Sequence, residues 1–170
     1  MSDDEPSPEH LRHKPPSLLG RPRELILACP GFHSGVNLSR IVRAAGCWGV
    51  ERIIVEGPIR LDKKIARDGA DAVTLESRRT LDPVLIRLKE EGYRIVGLEQ
   101  ASHSICLFDY RFDRRTCLVI GHERDGMSDE RLRRMDDIVE IPVYGLPFSH
   151  NVATATTMAL YEYGRQFPLG

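Results

Sequence analysis

No apolar run in this 170-residue chain approaches the roughly 18 residues that a membrane span requires. We therefore expect no membrane partner and a cytoplasmic protein. Residues 1–16 are polar, first acidic and then basic, and interrupted by prolines, so they lack the apolar centre of a signal peptide. There is no excess of either charge: 24 basic against 25 acidic residues leave a net charge of −1, which argues against a protein that coats RNA with its whole surface. A local basic face remains open. Cysteine is scarce, with Cys29, Cys47, Cys106 and Cys117 far apart and inside apolar segments. Without a C-x-x-C pair zinc is not expected, and four buried, reduced thiols are the simplest reading. No histidine pair has metal-ligand spacing, so no metal is expected.

Several chemistries are missing with their motifs. The first apolar run is followed by Pro30-Gly31-Phe32-His33-Ser34-Gly35, which is not the glycine pattern of a dinucleotide fold. No Walker phosphate loop and no G-x-S-x-G elbow occur. Ser149 and His150 are neighbours, but adjacent side chains diverge, so they do not form a dyad.

What is present is an alternation. Leu25–Cys29, Arg52–Glu56, Ala72–Leu75, Tyr93–Leu98, Thr116–Ile120 and Ile138–Pro142 read as strands, most of them continuous and apolar as in a sheet covered on both faces. Between them, Asn37–Gly46, Leu61–Ala70, Asp82–Glu91 and Asp129–Met135 read as helices. The first places Leu38, Ile41, Val42 and Ala45 on one side. After Pro142 a loop broken by Gly and Pro runs to Ser149-His150-Asn151, and an Ala/Thr/Met-rich helix follows. Either Ser149 or Asn151 can cap it. The expected fold is α/β: a mostly parallel sheet with helices on both faces, formed by residues 24–170 behind a flexible, basic, Pro-rich tail of residues 1–23. That tail, with His10, Arg12, His13, Lys14, Arg21 and Arg23, is either a solvated segment or an arm that touches phosphate. In parallel sheets ligand sites gather beyond the C-terminal strand ends, here in the loops after Leu98, Ile120 and Ile141.

Three segments stand out in order. Asn37 and Arg43, with Gly46 and Gly49 behind them, form the first. Leu118-Val119-Ile120-Gly121-His122-Glu123-Arg124-Asp125-Gly126-Met127-Ser128 is the second. Ile141-Pro142, Gly145 and Ser149-His150-Asn151-Val152 are the third. Together they resemble the three motifs of the SpoU/TrmH branch of the SPOUT RNA methyltransferases. The likeness covers about Leu25 to Phe167. Within the branch, Gly92 to Gln100 is similar to tRNA ribose methyltransferases that modify a D-loop guanosine.

The resemblance implies a fold with a C-terminal trefoil knot, a homodimer, S-adenosylmethionine as methyl donor and a ribose 2′-OH in RNA as acceptor, with tRNA favoured over rRNA. It also implies roles. Arg43 matches the catalytic arginine. A guanidinium stays protonated, so we expect it to clamp a phosphate and stabilise the developing alkoxide rather than to take the proton. Asn37 braces the first motif. Glu123 orients Arg43 or backbone N–H groups, or is simply a carboxylate at a helix start. Ser149 and Asn151 face the ribose. Gly121, Ile141 and His150 fall where the family grips the cofactor, with Gln100 beside them, and Gly121 would let the chain approach the adenosine. Arg40, Lys63, Lys64 and Arg67 are the expected RNA contacts. Arg111, Arg114 and Arg115 are as readily a solvated face. The family usually has Leu at the place of His150 and Ser at the place of Ala153. These departures keep a non-catalytic, dimeric RNA-binding module open as the alternative, besides an rRNA methyltransferase or a methyltransferase of small molecules.

Overall fold

Strand β1 (Leu25–Cys29) shows why the sheet is buried on both sides. Leu25, Leu27 and Cys29 point into one apolar cluster, while Ile26 and Ala28 point into another. The period of two divides one apolar run between two cores. The computed structural model describes residues 9–11 and 14–170. Expectations for residues 1–8, Arg12 and His13 lie outside the described residues.

After β1 come α1 (Gly35–Cys47), β2 (Arg52–Glu56), α2 (Lys63–Ala66), α3 (Gly69–Ala72), β3 (Thr74–Arg78), α4 (Asp82–Glu90) and β4 (Arg94–Leu98). The chain continues with β5 (Ile105–Cys106), β6 (Thr116–Ile120), α5 (Asp129–Leu132), β7 (Asp137–Glu140) and α6 (Val152–Gln166). The seven strands form one sheet in the order β3-β2-β1-β6-β4-β7-β5, and every pairing is parallel. Helices α1 and α6 cover one face. Leu38, Ile41, Val42 and Ala45 of α1 and Ala153, Ala159, Leu160 and Tyr163 of α6 meet the odd-numbered residues of β1 there. Helix α4 covers the other face through Val84, Leu85 and Leu88, with Met127 beside it. Each buried Leu, Ile, Val or Met side chain among these contributes about 1.5–3 kcal/mol by leaving water. None of the described helices is long and apolar enough to cross a membrane.

The expected elements need several corrections. The helix over Leu61–Ala70 is two short helices separated at Arg67, whose φ is 50°. The break lets Gly69 lie against α1: a Cβ on Gly69 would fall 2.8 Å from the Cα of Arg43, and one on Gly46 would fall 2.9 Å from the Cα of Gly69. Two glycines thus let α1 and α3 touch backbone to backbone. The strand over Ala72–Leu75 starts later and runs to Arg78, because β3 is a polar edge strand. Glu76 on it binds both Arg52 of β2 and Arg78. The last strand stops at Glu140 instead of Pro142, whose ring has no N–H to donate. The helix from Asp129 ends at Leu132. Strand β5, only two residues long, was not expected. Cys29 and Cys117 are buried as expected, but Cys106 is half-buried and Cys47 is exposed at the end of α1.

The expected tail also has structure at its end. Gly20 and Arg21 donate backbone N–H bonds to Leu169, at 2.8 and 3.3 Å. Arg23 is 5% exposed, lies over the Tyr163 ring and donates to the Phe167 carbonyl at 2.7 Å. Burial lowers the pKa of this guanidinium from its ordinary value.

Two polar devices place the site's supports. Ser39, fully buried on α1, donates to the Gly35 carbonyl at 2.6 Å and accepts the Asp62 N–H at 2.8 Å. Asp62 in turn accepts the Lys64 N–H and caps α2. A hydroxyl on one helix thereby fixes the start of the next, and with it Lys63 and Lys64. Across β4 and β7, Arg94 grips Asp137 through two bonds of 2.8 and 3.0 Å, and the Tyr110 hydroxyl adds a third at 2.8 Å.

Candidate functional site

The C-terminal ends of β4, β6 and β7, neighbours at that side of the sheet, open into three loops that enclose a cavity of about 240 Å³. Leu98, Ile120, Ile141, Val152 and Ala155 supply apolar wall. Glu99, Gln100, His122, Glu123, Arg124, Glu140, Ser149 and His150 supply polar groups. Gly121 and Gly126 complete the lining.

Each wall has a local cause. The loop after β6 turns back as a small hairpin in which His122 and Gly126 exchange backbone hydrogen bonds of 3.1 and 3.0 Å. Gly126 has φ +64°, a conformation that suits glycine there. The hairpin carries Glu123 and Arg124 at its tip. One oxygen of Glu123 accepts the His33 N–H at 3.1 Å, which ties the hairpin to the loop before α1. The other oxygen is buried, lies 3.7 Å from His122 Nε2 and has no hydrogen-bond partner among the described residues. The His122 ring meets His33 edge-on at 5.2 Å, and its Nδ1 lies 3.1 Å from an Asp125 carboxylate oxygen.

On the opposite wall, Asn151 caps α6. Its Oδ1 accepts the N–H groups of Ala153 and Thr154 at 3.0 and 3.4 Å. Its amide Nδ2 donates to Asn37 Oδ1 at 3.3 Å. Asn151 therefore caps one helix and holds another with a single side chain. Of the two expected caps, Asn151 is the one used, and Ser149 is exposed at the cavity edge. Asn37 lies inside the first turn of α1, where it braces rather than caps.

Of the expected site residues, Gln100, Gly121, Glu123, Ile141, Ser149 and His150 surround this one cavity, and Asn37 and Asn151 meet each other beside it. Arg43 does not line it. It is exposed on α1, six residues beyond Asn37 and so about 9 Å further along the helix. Arg40 and Arg43 share that side of the helix. Lys63, Lys64 and Arg67 are exposed on and after α2, which packs against α1. No ion pair involves Arg40, Arg43, Lys63, Lys64 or Arg67 among the described residues. Arg60, just before α2, is exposed and likewise has no ion pair among the described residues. Of the three doubtful arginines, Arg114 and Arg115 reach Glu24 at 3.7 and 3.1 Å, so at least these two serve the fold.

Gly121, expected to let the chain approach an adenosine, has a second reason to lack a side chain: a Cβ there would collide with Glu99 Oε2. The glycine accommodates a carboxylate of the protein itself. Glu99, His33 and His122 were not assigned from the sequence. Glu99 directly follows β4, so the reasoning that selected Gln100 could equally have selected its neighbour. No group of three His, Cys, Asp or Glu side chains among the described residues could hold a metal ion. Burial pushes the thiol pKa of Cys29 well up and that of Cys117 to about 12, so neither is a nucleophile.

A parallel α/β sheet, a polar cavity at three adjacent strand ends and a helix N-terminus at its rim define a ligand-binding α/β domain. Residues 24–161 match the family model described as the SpoU rRNA Methylase family, and the chain belongs to that family. A tRNA (guanosine(18)-2′-O)-methyltransferase of Escherichia coli is 28% identical over 152 residues, 88% of this chain and 66% of its own length. A 23S rRNA (guanosine-2′-O-)-methyltransferase of Salmonella typhi is 32% identical over 150 residues, 85% of this chain and 61% of its own length. The chain thus spans slightly under two thirds of these relatives. The SpoU methyltransferase AviRb of Streptomyces viridochromogenes, solved in complex with AdoMet, superposes with a TM-score of 0.72 at 26% identity, over 88% of this chain and 60% of that one.

Proposed function

We propose that the chain is an S-adenosylmethionine-dependent RNA 2′-O-ribose methyltransferase. The observation that carries this reading is that the second and third sequence motifs line one cavity, with the first joined to the third through Asn37 and Asn151, next to a helix whose outer face is basic and without an ion pair among the described residues. The cavity suits the methyl donor. Apolar walls at Leu98, Ile120 and Ile141 are broken by His150 Nε2 and a Glu123 oxygen, both buried and neither hydrogen-bonded among the described residues, although the Glu123 oxygen lies 3.7 Å from His122 Nε2. Such groups are stabilised by a ligand that bonds to them. Gln100, Gly121, Ile141 and His150 would hold the cofactor, which supplies a methyl group activated on a sulfonium.

The chain's own residues then have to orient an alcohol and help it lose a proton. Ser149 and Asn151 face the ribose, and Asn37 keeps Asn151 in place. Glu123 fixes the loop before α1 through the His33 N–H. Arg43 binds the adjacent phosphate and stabilises the alkoxide as it forms, while the proton leaves to water or a phosphate oxygen. Arg40, Lys63, Lys64 and Arg67 extend the phosphate contact.

Because Arg43 does not line the cavity of its own chain, a homodimer that brings it to the partner's cavity completes the site. Exposed Met158 and Tyr161 on α6 support such an interface. The reading includes a trefoil knot formed by the segment from β6 to α6, and a cytoplasmic location with tRNA as substrate. Preference for tRNA rests on the Gly97-Leu98-Glu99-Gln100 segment and on the E. coli relative. The Salmonella relative supports rRNA as a second reading.

The test is nucleoside mass spectrometry of total tRNA and rRNA after incubation with the purified chain and methyl-labelled cofactor. Labelled 2′-O-methylnucleosides in tRNA are expected. Clean cofactor binding without any transfer would favour the non-catalytic RNA-binding alternative.

A further inference from the structure

Glu99 has no catalytic or binding role in the reading above, yet the loop that carries Glu123 is built around it. Its Oε2 stands between two glycines. A Cβ on Gly121 would collide with this oxygen, and one on Gly126 would fall 2.7 Å from it. The same oxygen accepts the Met127 N–H at 2.9 Å, and Oε1 accepts the Gln100 N–H at 3.1 Å. Gly121 and Gly126 mark the two ends of the hairpin closed by His122 and Gly126. A carboxylate from the loop after β4 therefore plugs the base of that hairpin, and both its oxygens make charge-assisted bonds to backbone. Gly121 is not in the left-handed region, so the carboxylate, not backbone conformation, explains its missing side chain.

We infer that Glu99 is a positioning residue of the active site. It anchors the hairpin through Met127 and so fixes Glu123 between the His33 N–H and the cavity. The consequence for catalysis rests on the methyltransferase reading, whereas the anchoring itself does not. Glutamine at position 99 keeps one acceptor and turns an NH₂ group toward the other amide; alanine removes both acceptors and opens space above Gly121.

The experiment compares wild type, E99Q, E99A, G121A and the double variant E99A/G121A as full chains. Amide hydrogen exchange is followed residue by residue, S-adenosylhomocysteine binding by calorimetry and RNA methylation by initial rates. Met127 exchange is expected to accelerate at least about tenfold in E99A and less in E99Q, as expected for a removed hydrogen bond, with β2 and β3 unchanged. The kcat of E99A should drop about a hundredfold, as for a slightly misplaced catalytic group, with KM for RNA within about twofold. E99Q should lie between. G121A should melt lower than wild type, and adding E99A should restore part of that loss, since the collision is gone. The inference is overturned by Met127 exchange that E99A leaves unchanged. It is overturned equally by a G121A effect that is the same with and without Glu99, or by an E99A enzyme that loses only stability and keeps kcat. A wild-type chain that neither binds the analogue nor methylates RNA would remove the methyltransferase reading, while the exchange and double-variant results would still decide the anchoring.

Discussion

The two sides of the molecule treat positive charge in opposite ways. Around α4, α5 and β7 most of it is neutralised: Lys89 pairs with Asp136, Arg94 with Asp137, Arg131 with Glu56, and Arg134 with Glu130. Around α1 and α2, Arg40, Arg43, Arg60, Lys63, Lys64 and Arg67 stand exposed without a carboxylate partner among the described residues. A net charge of −1 conceals this segregation. Like charges held close on a folded surface repel one another and contribute nothing to stability, so a face that keeps them is suited to an external polyanion. The paired side holds the sheet together, and the unpaired side is available to phosphate.

The comparison breaks most visibly at Arg43. Arg43→Ala should lower kcat for RNA methylation about 10²–10³-fold, the scale of a lost electrostatic stabiliser. Its melting temperature should match wild type, because the side chain is exposed and makes no ion pair among the described residues. A large loss of stability with retained rate would reverse the assignment of the two sides.

On the paired side the effect should be structural. Asp137→Ala removes the bonds from Arg94 and Tyr110 and should cost about 1–2 kcal/mol in urea unfolding, a hydrogen-bonded charge discounted for the exposure of Arg94. The hydrogen bonds from Arg94 hold the Asp137 carboxyl below its ordinary pKa. The folded state therefore binds this proton less readily than the unfolded chain. The stabilisation is complete above the unfolded value of about 4 and is lost as pH falls through the lower folded value. Asp137→Asn should flatten that acid limb, and an unchanged limb would show that other carboxylates govern it.

A smaller effect is expected at Lys63 and Lys64. Changing both to alanine should weaken RNA binding, and the dependence of log K on log salt should become shallower by about one to two units, near one per lost phosphate contact. Melting should not move. The smallest effect belongs to the exposed Glu130–Arg134 pair: Glu130→Gln should leave melting, RNA affinity and rate within error.

Much of this was visible in the sequence for a simple reason. Strands β1, β2 and β6 are centred on their apolar runs and keep the expected bounds, because both faces are buried there. The edge strand β3 was misplaced because half of it faces water. The break at Arg67 left no trace, since arginine does not announce a positive φ. The cavity residues could be grouped because each follows a strand. Their contacts could not: Gly121 meets Glu99, and Asn37 meets Asn151 across 114 positions. Nor does any local signal say that β6 lies between β1 and β4.

That last feature has a consequence for the chain as it is being made. Strands β1, β2 and β3 can pair in order as soon as they emerge, whereas the other edge of β1 must wait for β6, some ninety residues later. Pairing over such separations is slow. A chain arrested just before Thr116 would expose the apolar edge of β1 and have no cavity, and it should be a chaperone client, whereas a chain released beyond α6 should not. Crosslinking of stalled chains of graded length would show a loss of chaperone contact only after the last helix has been added.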